Sequence, residues 1–300
     1  MEEYLFFDIE CADGHNMCSF GYVITAEDFS IKEKRDILVN PECKFKLSRA
    51  NSVPDINLAY SEAEFFAAPA FSEIYRELAG LLTAPSRVLL GHSVAADLGY
   101  IDTACARYNK KRLKLQAFDT QKIYAESDEE HRIRSLSGIM EDLGVNVAGL
   151  SEHKSCDDAE MTMLTVKEIC RKYGVTLPEL LQNAGDCVVN RRTIAAAHLR
   201  SVVNKALKNL RKKYPDSSGR KKIYISETVN PKNADARVEL VKAVYRRGWG
   251  YTFNLSECDC IVSDGRYSAA EKEFLKSSPQ VERASFAELG SKLKICVKSF

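Results

Sequence analysis

The chain has 300 residues, room for two domains, and 45% of them are apolar, enough to build a substantial core. Lys and Arg (43) nearly cancel Asp and Glu (42), so a net charge of +1 gives no global pull toward nucleic acid or a membrane surface, and any such preference must come from local patches. Ten scattered cysteines without a Cys-x-x-Cys disfavour structural zinc and suit a reduced, cytoplasmic protein. No signal-peptide pattern or apolar run of bilayer length is present.

Residues 4–10, Tyr-Leu-Phe-Phe-Asp-Ile-Glu, read as a buried central strand ending on two carboxylates. Met17 to Thr25 is expected as a second strand and Ile31 to Val39 as a third, in an antiparallel meander. Residues 61–83 have helical periodicity, with Phe65, Phe66, Ile74, Leu78, Leu81 and Leu82 on one face and a capping box from Ser61 and Glu64 at the start. A short strand over Arg87–Gly91, a helix over 94–108 and a strand ending at Phe118 follow, then helices over 119–126, 135–143 and about 155–173. This mixture indicates an α/β domain over residues 1–175.

From 176 to 213 the pattern is mostly helical. Ile194, Leu199, Val203, Leu207 and Leu210 lie at helical spacing, opposite a face carrying Arg191, Arg192, Arg200, Lys205, Lys208, Arg211, Lys212 and Lys213. Tyr214 to Gly219 reads as a break, so 176–219 is expected to be a basic helical linker. Beyond it, Lys222–Thr228 and Cys260–Ser263 read as strands, and Asp235–Arg247, 268–277 and 285–293 as helices. Residues 220–300 would form a second small α/β domain.

Side chains two apart on a strand share a face, so Asp8 and Glu10 project together. Two later stretches can add acids: Gly91-His92-Ser93-Val94-Ala95-Ala96-Asp97, a strand running into a helix, and His153-Lys154-Ser155-Cys156-Asp157-Asp158, a polar loop entering one. Brought together, Asp8, Glu10, Asp97 and Asp158 would hold two Mg²⁺ or Mn²⁺ ions, an arrangement that activates water and neutralises the leaving oxygen at phosphorus. His153 would take the proton from the attacking water, a role an imidazole suits near neutral pH. Asp102 and Asp119 read as solvated or capping, His92 as a support of its loop, and His15, His131 and His198 as surface residues.

Phe-Phe-Asp-Ile-Glu, Gly-His-Ser-Val-Ala-Ala-Asp and His-Lys-Ser-Cys-Asp-Asp-Ala-Glu resemble, in order and separation, the three motifs of the DEDDh exonucleases, the family of the DNA polymerase III epsilon subunit and ribonuclease T. The resemblance spans residues 1–175. It implies a ribonuclease H-like mixed-sheet fold, two-metal hydrolysis and 3′→5′ polarity, with Asp8, Glu10, Asp97 and Asp158 as ligands and His153 as general base. The family's spacing of His, four residues and Asp selects Asp158 over Asp157. Two departures stand out. Ser93 and Ala96 replace the usual Asn and bulky apolar residue, and Cys11 and Ala12 follow Glu10 where the family often has threonines that meet the terminal nucleotide. At 11 and 12, contact with the 3′ end would fall to backbone groups.

The segment from Lys222 onward resembles a BRCT domain in its order of strand, long helix, Gly248-Trp249-Gly250, apolar strand and closing helix. Phe286 stands where that family usually has tryptophan. Such modules accompany DNA repair and replication enzymes, which implies a DNA substrate and a protein partner or DNA end for the last domain. The basic patch, Arg211, Lys212 and Lys213 included, reads either as a solvated helix face or as a surface that tracks phosphates. The expectation is a metal-dependent 3′→5′ exonuclease acting on single-stranded DNA ends in proofreading or repair. The alternatives are an RNA exonuclease of the ribonuclease T or oligoribonuclease sort, and a non-catalytic scaffold that only binds nucleic acid.

Overall fold

The computed structural model describes residues 2–47, 57–128, 130–215, 220–229 and 234–293. Its contacts divide the chain into Met1–Arg191 and Arg192–Phe300.

In the first unit β1 (Glu3–Cys11), β2 (Met17–Thr25) and β3 (Ile31–Leu38) form the expected meander. Both faces of β1 are apolar and buried from Tyr4 to Phe7, and its other edge pairs in parallel with β4 (Arg87–Gly91). Next come β5 (Gln116–Asp119), parallel to β4, and β6 (Val188–Asn190), antiparallel to β5. The order is β3-β2-β1-β4-β5-β6, a mixed sheet. Tyr4 and Phe6 enter one core with Met163, Val166 and Ile169, from a long helix that packs across β1 and β2. Asp8 and Glu10 continue that same strand face.

The helices of this unit are α1 (Glu62–Ala67), α2 (Phe71–Leu82), α3 (Ala95–Arg107), α4 (Thr120–Ser127), α5 (Leu136–Leu143), α6 (Ser155–Tyr173) and α7 (Leu177–Asn183). The single helix expected over 61–83 is two. Pro69 disfavours helical backbone at the residue before it and offers no N–H, and Ala68 is extended at φ −75°, ψ 161°. The capping box of Ser61 and Glu64 starts α1 as expected, and Glu73 accepts from Ala70 N–H at the start of α2. The stretch after 176, read as mostly helical, contains β6. Three residues are too few for alternation to register, and the ladder that makes them a strand comes from β5, about 70 residues away.

Two glycines set approaches on which the site depends. At Gly21, which pairs with Asp8, a Cβ would fall 2.0 Å from the backbone of Ser155 and Cys156, so the start of α6 rests directly on β2. At Gly91 a Cβ would meet the Val94 side chain at 2.7 Å, and the glycine permits the tight exit from β4 toward α3.

The second unit begins with α8 (Arg191–Lys213), followed by β7 (Lys222–Ile225), α9 (Ala234–Arg246), β8 (Gly250–Tyr251), β9 (Cys260–Ser263), α10 (Ala269–Ser277), β10 (Glu282–Ser285) and α11 (Phe286–Leu293). Among the described residues its four strands are all parallel, in the order β10-β9-β7-β8. Alternation separates two cores. Ile223, Ile225, Cys260 and Val262 face α8, α9 and α11, whereas Tyr224 and Ile261 face Leu275 of α10. The stripe Leu199, Val203, Leu207 and Leu210 of α8 lies in the first of these cores, at about 2 kcal/mol per buried side chain. Of the stretch expected to be a linker, α7 and β6 belong to the first unit and α8 supplies a layer of the second. Arg211, Lys212 and Lys213 are exposed on it, and the break expected over 214–219 lies outside the described residues from 216 on. Strands β8 and β10 had no apolar pattern of their own to announce them. Among the described residues no helix is long and apolar enough to cross a membrane.

Candidate active site

The carboxylates of Glu10 and Asp158 and the imidazole of His153 each offer a ligand atom within 4.8 Å of the others. His153 Nδ1 stands 3.3 Å from Glu10 Oε1, and His153 N–H donates to Asp158 Oδ2 at 2.9 Å. His153 has left-handed backbone, φ 62°, a conformation that costs a non-glycine residue about 1 kcal/mol or more and persists only where neighbours hold it. Here Asp158 takes its N–H, and its carbonyl accepts from Ala59 N–H at 3.2 Å.

Asp8 and Asp97 complete a desolvated group of acids. Burial, then the charges of Glu10 and Asp36, pushes the Asp8 carboxyl above the carboxylate range. Burial, then the charge of Asp8, holds Asp97 well above it. Burial alone raises Glu10 to about 7. Burial with Asp8 and Glu10 raises Asp158 to about 8. Among the described residues no Lys or Arg pairs with any of the four. Four acids crowded together without a basic partner, Asp97 buried and the other three partly so, fit divalent cations, which bind oxygen ligands and would restore the ionised forms.

The adjacent Asp157 is used otherwise. Lys34 Nζ lies 2.5 Å from its Oδ1, Lys154 Nζ 3.4 Å from its Oδ2, and Ser151 N–H donates to it, which together hold it below the usual range against its burial. Successive residues on a helix point about 100° apart, so Asp157 turns to β3 while Asp158 turns to β1.

Asp119 caps α4 through Gln121 N–H and also accepts from Ser93 N–H, fixing the loop before Asp97. His92 lies in that loop with Nδ1 3.4 Å from Thr120 Oγ1, and desolvation lowers it to about 4. His15, His131 and His198 are exposed. Cys11 is half-buried, and burial raises its thiol. Ala12 is fully buried. Its N–H donates to the Asn16 carbonyl and its C=O accepts from Lys46 N–H, so it has no exposed side chain and no free N–H to offer a 3′ end.

Three neighbours were not anticipated. Burial chiefly raises the Tyr100 phenol, and the charges of the nearby Asp97 and Glu10 add to it. Asp36 and Tyr60 are bonded to each other, and Asp36 faces Asp8. Cross-strand register carries the signal for Asp36, because Asp8 pairs with Gly21 and Gly21 with Asp36.

A family model described as DNA polymerase III subunit epsilon-like, C-terminal domain, of the DEDDh type, matches residues 13–169. No curated protein matches the chain. Among solved structures, the nuclease domain of 3′hExo, a DEDDh member bound to rAMP, is 15% identical with a TM-score of 0.49, covering 57% of this chain and 92% of its own. Exonuclease X in complex with 5′ overhanging duplex DNA is 15% identical at a TM-score of 0.43, over 62% and 100%. Exonuclease I of E. coli with a dT13 oligonucleotide is 14% identical at 0.46, over 61% and 43%. Since the family model spans just over half of the chain and takes in the stretches carrying Asp97, His153 and Asp158, this chain belongs to the DEDDh family and is a 3′→5′ exonuclease.

Proposed function

We propose that the chain is a metal-dependent 3′→5′ exonuclease that releases nucleotides from single-stranded DNA ends in proofreading or repair. The observation that carries this is the convergence of Glu10, His153 and Asp158 beside the desolvated Asp8 and Asp97. These four acids would hold two Mg²⁺ or Mn²⁺ ions, whose charge lowers the pKa of a bound water and neutralises the leaving oxygen. An Nδ1–H donated by His153 to Glu10 sets the tautomer and leaves Nε2 to accept the proton of the attacking water. The imidazole is 44% exposed, so it can meet a substrate entering from solvent. Asp158 positions that base as well, through the His153 N–H.

The DNA assignment draws on the second unit. Its four parallel strands with helices on both faces suit the BRCT-like reading, and modules of that kind recruit DNA enzymes to partners or DNA ends. Arg211, Lys212 and Lys213 would add sequence-independent phosphate contacts.

The test is a time course on 5′-labelled single strands of one sequence, DNA and RNA, with Mg²⁺ or Mn²⁺ and with a chelator. A ladder shortening from the 3′ end of DNA, abolished by chelator and by Asp158→Ala, is expected. A ladder on RNA alone would reassign the substrate. Binding without cleavage of either would overturn the catalytic reading in favour of a scaffold.

A further inference from the structure

The first turn of α6 carries Asp158, and the loop before it carries His153, yet the helix has no cap of its own. Lys154 stands at the N-cap position with no side-chain hydrogen bond to the turn that follows. The amide of Cys156, one of the N–H groups that a helix start leaves without a partner, donates instead to Asp36 Oδ1 at 2.7 Å. Asp36 belongs to β3, 120 residues earlier, and its other oxygen, Oδ2, accepts from the Tyr60 hydroxyl at 2.7 Å. Burial and Asp36 raise the Tyr60 phenol, which keeps it a neutral donor. One residue before Tyr60, Ala59 N–H donates to the carbonyl of His153.

Lys34 stands two residues before Asp36 on the same face of β3. Its Nζ lies 2.5 Å from Asp157 Oδ1 and 2.6 Å from Glu160 Oε2. Strand β3 thus grips the first turn of α6 twice, once at a backbone amide and once at two side chains. Directly beneath, Gly21 lets the helix start touch β2. A carboxylate is also the favourable charge at a helix N-terminus.

We propose that Asp36 is a positioning residue for the active site, fixing the start of α6, together with Tyr60, so that Asp158 and His153 stand against Asp8 and Glu10. The proposal rests on the nuclease reading of that site. Asp36 acts through a hydrogen bond to a backbone amide and touches no substrate. A helix start that moves by about 1 Å is enough to cost a reaction on the order of a hundredfold.

The experiment uses Asp36→Ala, Asp36→Asn and Tyr60→Phe in the full chain, read by amide hydrogen exchange over residues 151–158, by Mn²⁺ titration, and by kcat and KM on a short single strand. In Asp36→Ala we expect faster exchange at Cys156, weaker Mn²⁺ binding and kcat lower by about ten- to a hundredfold, with KM within twofold. Asp36→Asn, which keeps an oxygen for the Cys156 amide, should recover to within about threefold of wild type. Unchanged exchange and kcat in Asp36→Ala would overturn the proposal, as would a loss that Asn does not rescue, since charge would then be the agent. Should Asp36→Ala not fold, Tyr60→Phe decides: faster exchange with a several-fold lower kcat supports the proposal, and wild-type values for both refute it. A wild-type protein without Mn²⁺-dependent cleavage would remove the nuclease reading, while hydrogen exchange would still decide whether Asp36 holds the helix.

Discussion

Replacing Gly21 by alanine probes the contact on which the two halves of the site depend. The added Cβ would lie 2.0 Å from both Cys156 N and Ser155 C, where ordinary contact begins at 3.4 Å, so α6 and β2 must separate by about 1.4 Å. Both obstructing atoms are backbone and cannot swing aside as a flexible side chain would. Overpacking of this kind costs about 1–3 kcal/mol, and the upper end is expected here. For a unit of this size that lowers the melting temperature on the order of 5–10 °C. The displaced helix start carries Asp158 and draws His153 with it through their hydrogen bond, so kcat should fall about a hundredfold with little change in KM. Melting by circular dichroism and single-strand cleavage kinetics measure both effects. A Gly21→Ala protein with wild-type melting and wild-type kcat would show that α6 does not need to rest on β2.

The metal-free protein should lose stability as pH rises. Glu10 and Asp158 are raised to about 7 and about 8, against about 4 in the unfolded chain, so between those values the folded form binds more protons and its advantage declines toward pH 8. Melting temperatures in chelator should fall from pH 5 to pH 8, and Mn²⁺ should restore more at pH 8 than at pH 5; a flat profile would refute the crowding of acids. Leu207→Ala, at a side chain 3% exposed, should destabilise the second unit by about 2–5 kcal/mol. Hydrogen exchange in β7 and β9 should rise while turnover of very short oligonucleotides stays the same, and unchanged exchange would mean that α8 is dispensable to that core. Replacing Arg211, Lys212 and Lys213 with Gln should weaken binding of long strands and flatten its salt dependence while sparing very short ones; an unaltered salt slope would take these residues out of the interface.

Much of the first unit could be read from the chain because its elements announce themselves locally. The run Tyr4–Phe7 is too apolar for anything but a strand buried on both faces, and α6 ends where its apolar period gives way to Gly174, in left-handed backbone. Elements defined only by distant partners stayed hidden: β6 exists because β5 lies beside it, and β8 because β7 does. The dense basic face of α8 obscured the meaning of its apolar stripe, since periodicity marks a helix without naming what the stripe is buried against. The two acids of β1 and their distant counterparts were visible as motifs. Asp36 was not, because its place beside Asp8 appears only once the register of three strands is known.

The burial of α8 bears on how such modules can be exchanged between proteins in evolution. Its four apolar side chains share a core with β7, α9 and α11, so a transfer that began at residue 220 would strip one layer from the sheet and expose Ile223, Ile225 and Val262 to water. A gene fusion that keeps the second unit foldable must therefore bring the basic helix with it. Its positive charge would arrive in the new protein as a by-product of packing, and a nucleic-acid surface could be inherited before anything selected for it.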